Sequence, residues 1–264
     1  MTADAWVALV VLPLLFLLEG LLPFYAGRRD RLRHDARNLG LGVISGLVGA
    51  ALTPLLLLSM AVAARQGWGL VSWLGLGAAS GALLAFVGFD LWMYLWHRAN
   101  HRIPLLWRLH RVHHTDPAMD ATTALRFHPG EILLSNLANC LVLPLLGMTA
   151  GLFVLYKAVM VAVILFHHSN VAVPPRLDRA YGLLLVPPSM HRVHHSERRA
   201  ETDSNYGTVF SIWDRLLRSF RRRDDAELIR FGIGRFAEAD WQRPLWLLRL
   251  PFVSDPAPAG EVPS

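Results

Sequence analysis

An all-α fold, a multi-span transmembrane helical bundle with a histidine-rich helical cap, is what this sequence predicts, and three observations predict it. Hydrophobic residues make up 53% of the 264 and charged residues only 17%, with a mean hydropathy of +0.35. A soluble domain carries about a quarter charged residues, so the balance leans to a lipid environment. Three apolar runs approach the ~20 residues that cross hydrocarbon as a helix, and two shorter ones follow. Eleven of the twelve histidines lie between His97 and His195, mostly at helical spacings.

The first run, 5–25, is interrupted near one end by Glu19. No basic residue precedes it, so it lacks the leading positive charge of a cleavable signal peptide. Arg28, Arg29, Arg31, Arg33 and Arg37 follow it. Basic loops stay cytoplasmic, which puts the N-terminus outside. His34, inside this basic loop, is expected to be solvated and without a partner. The second run, 39–63, carries Gly42 and Gly46, a small-xxx-small pair suited to close helix approach, and Pro54, which is expected to kink it. The third, 73–96, carries Gly77 and Gly81, and its Trp92, Tyr94 and Trp96 fit an interfacial aromatic belt.

Runs 132–146 and 150–166, joined by Gly147-Met148-Thr149, form a hairpin that either crosses or enters part way. Either path returns the chain to the side it left, so every histidine cluster is expected on the cytoplasmic face. The cap then comprises 97–130 and 167–220, within a single domain over 1–253. Segment 241–252 reads as either an interfacial or a plain surface helix. The Pro/Ala/Gly-rich tail, 254–264, reads as disordered.

Net charge is +6, almost all of it from arginine, since Lys157 is the only lysine. The arginines flank apolar runs, so the basic balance reads as orientation and headgroup contact, with no nucleic-acid partner. Cys140 stands alone. That excludes an intrachain disulfide, all-cysteine zinc sites and iron–sulfur clusters.

The histidines repeat a grammar. His97 and His101 sit at i, i+4. His110, His113 and His114 sit at i, i+3, i+4, and His191, His194 and His195 repeat that pattern with the same Arg-Val insert. Such spacings share a helix face, so each cluster can aim two or three rings at one point. Eight rings exceed the needs of one ion and suggest two. An all-nitrogen set suits iron, zinc or copper. His168 is a ninth candidate ligand. His167 points ~100° away on a helix and reads as an outer partner, and His128 stays open between ligand, outer partner and loop residue. Asp90, Asp116, Glu131, Asp203 and Asp214 are candidates to orient the rings through their distal N–H groups. Neither the Glu-x-x-His motif of carboxylate-bridged di-iron bundles nor the His-Glu-x-x-His of zincins occurs.

The three boxes together resemble the sterol desaturase / fatty acid hydroxylase superfamily. Asp90-x-x-x-Tyr94-x-x-His97, Leu106-Trp107-x-x-His110, Arg126-x-His128-Pro129-x-Glu131, His168-Ser169-Asn170, Asp203-x-Asn205-Tyr206-Gly207 and Trp213-Asp214 extend the likeness over about 86–220. The resemblance implies a membrane-bound non-haem di-iron oxygenase. Such an enzyme uses two iron ions, O2 and external electrons to hydroxylate or desaturate a lipid C–H bond, with zinc as a substitute metal. It carries over His97, His101, His110, His113, His114, His191, His194 and His195 as ligands, with His168 at a less regular intermediate position. Where some relatives have a second histidine there, this chain has Ile164. The second ion would then turn to His128, His167, Asn170 or water.

No dinucleotide or electron-carrier motif is evident, so the resemblance implies a separate donor protein and reductase. Arg98, Arg102, Arg108, Arg111, Arg192, Arg198 and Arg199 are expected to make the cap basic, towards an acidic donor or lipid headgroups. A bacterial inner membrane is the expected location. A zinc-dependent membrane hydrolase and a non-enzymatic metal-binding membrane protein are the alternative readings.

Overall fold

The computed structural model describes residues 3–27 and 30–254. Arg28 and Arg29, and all of the expected tail except Ser254, lie outside the described residues. Five long apolar helices carry the architecture: α1 (Ala3–Leu21), α2 (Arg31–Gln66), α4 (Ala78–Arg102), α6 (Pro129–Leu146) and α7 (Ala150–His168). Short helices join them, among them α3 (Leu70–Trp73), α5 (Pro104–His114), α8 (Pro175–Tyr181) and α9 (Pro188–His194). Only isolated β-bridges occur among the described residues, such as Leu185 to Phe210.

The five long helices bury little of themselves. Between 11% and 28% of each apolar window is covered by protein, and Val10, Leu17, Val43, Leu47, Leu83 and Leu141 are exposed. In water this would be an aggregating surface; against lipid tails it costs nothing. The chain is a multi-pass membrane protein. The short runs gain length at both ends of the hairpin. Pro129 starts α6 three residues early, at a position where its missing N–H is harmless, and α7 runs on to His168. At 18 and 19 residues, each reaches ~27–28 Å, close to the hydrocarbon thickness. By length and composition both are full spans.

Packing pairs α2 with α6 and α1 with α7. Leu56 and Met60 of α2, Ala85 and Phe89 of α4, Leu143 of α6 and Phe153, Tyr156 and Val163 of α7 form the main core. The glycine pairs behave differently from expectation. Gly42 meets Leu125, and Gly81 meets Val71, but Gly46 and Gly77 touch nothing. Each pair contributes one close contact with a connecting segment rather than a two-point helix seam. The tightest approach lies elsewhere. A Cβ on Gly69 (φ +107°) would collide with the Pro144 carbonyl, and Gly147 (φ +78°) faces the same junction. Left-handed backbone and contact distance both demand glycine there.

Several polar expectations are corrected by where α2 begins. The helix starts at Arg31, not at Leu39, and continues through Pro54. Its first turns carry His34 inward. His34 is neither solvated nor alone: Nε2 lies 2.7 Å from Asp116 Oδ1, and Nδ1 lies 3.1 Å from both Asp35 Oδ1 and Asp120 Oδ2. Asn38, one turn on, donates to Asp116 Oδ2 (2.9 Å) and accepts from Arg126 (2.9 Å). Glu19 is buried too, taking N–H bonds from Ala121 and Asn170 and from Arg31. The expected aromatic belt also turns inward. Trp92 and Trp96 donate to Asn139 and Ser135 of α6, and Tyr94 is fully buried. Segment 241–252 packs on protein, with Leu247 and Leu250 against Leu41, Val112 and Phe236.

Candidate metal centre

Nine histidines converge on two points. His97, His101, His110, His114 and His194 place one ring nitrogen each within 4.8 Å of one another, and His113, His168, His191 and His195 do the same. The grammar of the boxes explains the division. Adjacent helical residues diverge by ~100°, so each His-His doublet splits between the two points. The second box sends His110 and His114 to the first cluster and His113 to the second. The third box sends His194 to the first and His191 and His195 to the second. The i, i+4 pair His97 and His101, on the last turns of α4, completes the first; His168, at the end of α7, completes the second. Each doublet box therefore aims at two points rather than one. The clusters share a wall, with the His114 and His195 rings stacked at 4.5 Å.

The donor set fits bound cations. His97 and His114 each bring Nε2 to 3.2 Å from His110 Nε2, and His113 and His191 bring theirs to 3.1 and 2.9 Å from His168 Nε2. Two nitrogens on adjacent corners around one ion, at ~2.0–2.1 Å from it, stand ~2.8–3.4 Å apart. Both nitrogens of His101 and Nε2 of His194 and His195 are buried without a hydrogen-bond partner. Each such orphan costs about 1–3 kcal/mol, and a cation would relieve one nitrogen per ring by taking its lone pair.

Four rings are oriented from outside. His97 Nδ1 donates to the Tyr206 carbonyl (2.9 Å), His168 Nδ1 to Ile164 (2.7 Å) and His194 Nδ1 to Ser204 (2.6 Å). His110 Nδ1 donates to Glu131 Oε1 at 2.7 Å. Each bond fixes the proton on Nδ1 and turns Nε2 inward as a lone pair. Burial, and then the neighbouring rings, hold the His113, His114, His191 and His195 imidazoles well below the ordinary range. Burial takes His194 down to about 3. All five are neutral at pH 7, the form that ligates.

The remaining candidates separate. Asp203 Oδ1 lies 3.4 Å from His101 Nδ1. His167 packs against His191, tilted, with ring centroids 3.9 Å apart but stands outside both clusters. His128 caps α6, accepting from the Gly130 N–H, and lies 3.2 Å from the Leu248 carbonyl. Asn170 binds Tyr25 and Glu19. Asp90 bonds to none of the clustered histidines: it accepts from Tyr156, Trp213 and the Val209 and Phe210 N–H groups, pinning the loop after the third box to α4 and α7. Asp214 holds Tyr206 and Gly207 in the same loop. Asp116 serves the His34 network, where the His34 and Arg126 charges overcome burial and keep its carboxyl well below the usual carboxylate range.

Arg111 and Arg192 are not on the surface. Both are buried. Arg111 donates to the Leu250 and Val253 carbonyls, and Arg192 to those of Ser169 and Val171. The repeated Arg-Val insert is thus a pair of internal staples. Residues that the spacing did not flag also line the site. Phe127 stacks on His113 (4.7 Å), Tyr206 packs on His97, His101 and His194, and Trp107 lies 5.1 Å from His101. Their place in the extended motifs was the available signal.

Removing the Glu131 carboxylate, as in Glu131→Ala, is expected to weaken metal affinity about 10–100-fold. Chelator competition measures this, and wild-type affinity would remove Glu131 from any ring-orienting role.

Comparison with known proteins agrees with this geometry. The fatty acid hydroxylase family profile matches residues 82–219. An ornithine lipid hydroxylase from Rhizobium tropici is 34% identical over 141 residues, 52% of this chain and 41% of that protein. Alkylglycerol monooxygenase from Caenorhabditis elegans is 33% identical over 139 residues, 52% and 26% of the two chains. Human lathosterol oxidase is 26% identical over 148 residues, 55% and 47%. The matched stretch spans less than half of each of these relatives. No solved structure matches. A profile covering more than half the chain, on the same segment that supplies all nine clustered histidines, establishes that this protein belongs to the fatty acid hydroxylase family.

Proposed function

We propose that this protein is a di-iron oxygenase that inserts oxygen into, or removes two hydrogens from, a lipid C–H bond. The observation that carries the reading is the paired cluster of five and four converging imidazoles, all but His97 fully buried. Iron held there supplies the redox chemistry that activates O2. The chain's own contributions are binding, orientation and exclusion of water. His97, His101, His110, His114 and His194 would hold one ion, and His113, His168, His191 and His195 the other. Glu131 and the carbonyls of Ile164, Ser204 and Tyr206 keep the rings in one tautomer. Neutral ligands leave the ions their full positive charge, and the aromatic walls of Phe127 and Tyr206 keep bulk water off the rings.

The relatives' names, an ornithine lipid, an alkylglycerol and a sterol among them, support a lipid substrate lying along the apolar spans. Residues 1–253 would act as one unit. The basic run around Arg31 to Arg37 supports a cytoplasmic cap, an outside N-terminus and a separate cytoplasmic electron donor.

Lipid mass spectrometry on cells with and without the gene, grown with and without O2, tests the reading. A lipid that gains one oxygen atom, or loses two hydrogens, only with both gene and O2 is the expected result. Identical lipid profiles, or a change that persists without O2, would overturn it.

A further inference from the structure

We propose that Trp107, lying beneath the Arg199 guanidinium, is where electrons enter the five-histidine cluster, and that the surface around it docks a small acidic one-electron carrier protein. The inference rests on the oxygenase reading and adds to it a place and a partner chemistry.

Four of the five rings of the first cluster are sealed in, while His97 is half-buried. His101, His110, His114 and His194 are all at most 2% exposed. An outside protein therefore needs a bridge, because electron transfer slows steeply with each additional gap between stacked or bonded groups. Among the described residues, Tyr206, Phe127 and Trp107 are the Phe, Tyr and Trp side chains that touch the clustered histidines. Tyr206 is fully buried. Phe127 is half-buried, but it lies on His113 and on only one ring of the five-histidine cluster, His110, and its carbonyl is tied to Ser45 of α2. Trp107 is different. Its ring lies 5.1 Å from His101, 5.7 Å from His114 and 6.5 Å from His110, and 9% of the residue reaches solvent. One indole thus contacts three rings of one cluster and also has an outer edge.

The outer edge is covered by charge. The Arg199 guanidinium carbon sits 4.6 Å over the Trp107 ring. The same group donates to the His101 carbonyl and to Asp203, whose other oxygen faces the His101 ring. Surface, indole and first-cluster ligand are therefore connected within one residue's reach. Arg102, Arg108 and Arg198 are exposed on the same stretches of chain. A positive rim steers an acidic protein into register, and a guanidinium stacked on the indole leaves it in place when a carboxylate arrives. This favours an acidic carrier over a lipid headgroup, which would use the arginines without needing the indole.

The electron count closes. Each encounter oxidises the carrier by one electron and reduces the centre by one. Two encounters, two protons and one O2 then yield one inserted oxygen and one water, or one double bond and two waters.

The test uses full-length protein in detergent, a plant-type [2Fe–2S] ferredoxin as acidic probe and phosphatidylserine vesicles as control. Thermophoresis should show ferredoxin binding at low salt, weakened about tenfold by the double change Arg108→Glu/Arg199→Glu and by added salt. Anaerobic stopped-flow reduction of iron-loaded protein should be several-fold slower for Trp107→Leu with ferredoxin, near wild type for Trp107→Phe, and equal for all three with dithionite. Reduction of Trp107→Leu by ferredoxin at the wild-type rate overturns the portal. Absence of ferredoxin binding to the wild type, or loss of vesicle binding alone in the double variant, overturns the docking surface. The binding arm can be read on metal-free protein. If dithionite-reduced, iron-loaded protein gives no oxidised lipid under O2, the oxygenase reading itself fails.

Discussion

Replacing His113 with alanine is expected to abolish lipid oxidation and to cost the protein the ion of its four-histidine cluster. His113 is one of only four rings there, and its Nε2 lies 3.1 Å from that of His168. Three imidazoles would remain, with the cavity left by the lost ring open beside them. The loss should exceed the ~10–100-fold that removal of a ring-orienting partner costs. Metal analysis of purified protein should fall from about two ions per chain to about one, alongside disappearance of product by lipid mass spectrometry. His101→Ala gives the contrast. Its cluster keeps four rings, so it should retain more metal than His113→Ala. Equal and full metal content in both variants would break the assignment of histidines to clusters.

Asp116→Ala is expected to destabilise the fold by about 3–5 kcal/mol, the range for removing one partner from a buried charged network. Asp116 accepts from Asn38, Thr123 and the Ala118 N–H, and lies 2.7 Å from the His34 ring. Its loss strands those groups in a region where Arg126 is also buried. The thermal midpoint in detergent should drop by on the order of 10 °C. His34→Ala/Asp116→Ala should cost less than the sum of the two single changes, because the second removes a group that the first left unpaired. Strict additivity would show that the two residues do not act as a pair. The network anchors α2 to the segment directly after the second box, so the Asp116 variant should also hold metal less tightly.

The chemistry-bearing residues were legible because a helix imposes its period on any sequence that repeats at three and four. His97 with His101, and the two three-ring boxes, needed no structure to be grouped. Their division between two points follows from the same period, but only once both helices face each other across the site. Orientation was less legible. Three of the four fixed rings donate to backbone carbonyls, at Ile164, Ser204 and Tyr206, and a carbonyl has no letter in a sequence. Ile164 is the clearest case: its side chain stands where some relatives carry a histidine, while its carbonyl sets the His168 ring. The arginines misled for a different reason. Arg111 and Arg192 look like surface charge by type, yet each finds two carbonyls in the interior. His34 misled because an apolar run marks where a helix meets lipid, not where it starts.

That early start has a mechanical consequence. At 36 residues, α2 is ~54 Å long, well beyond the ~30 Å of hydrocarbon around it. The excess includes the turns that carry His34 and Asn38, locked through Asp116 and Arg126 to the backbone beside the second box. A rod held in the bilayer at its middle and bonded to the metal-binding region at its end acts as a lever. Any change in its tilt, which is how a long helix answers a thinner or thicker membrane, is delivered to the floor of the histidine clusters as a displacement. The tilt of α2 and the backbone beside the second box are thereby one mechanical unit.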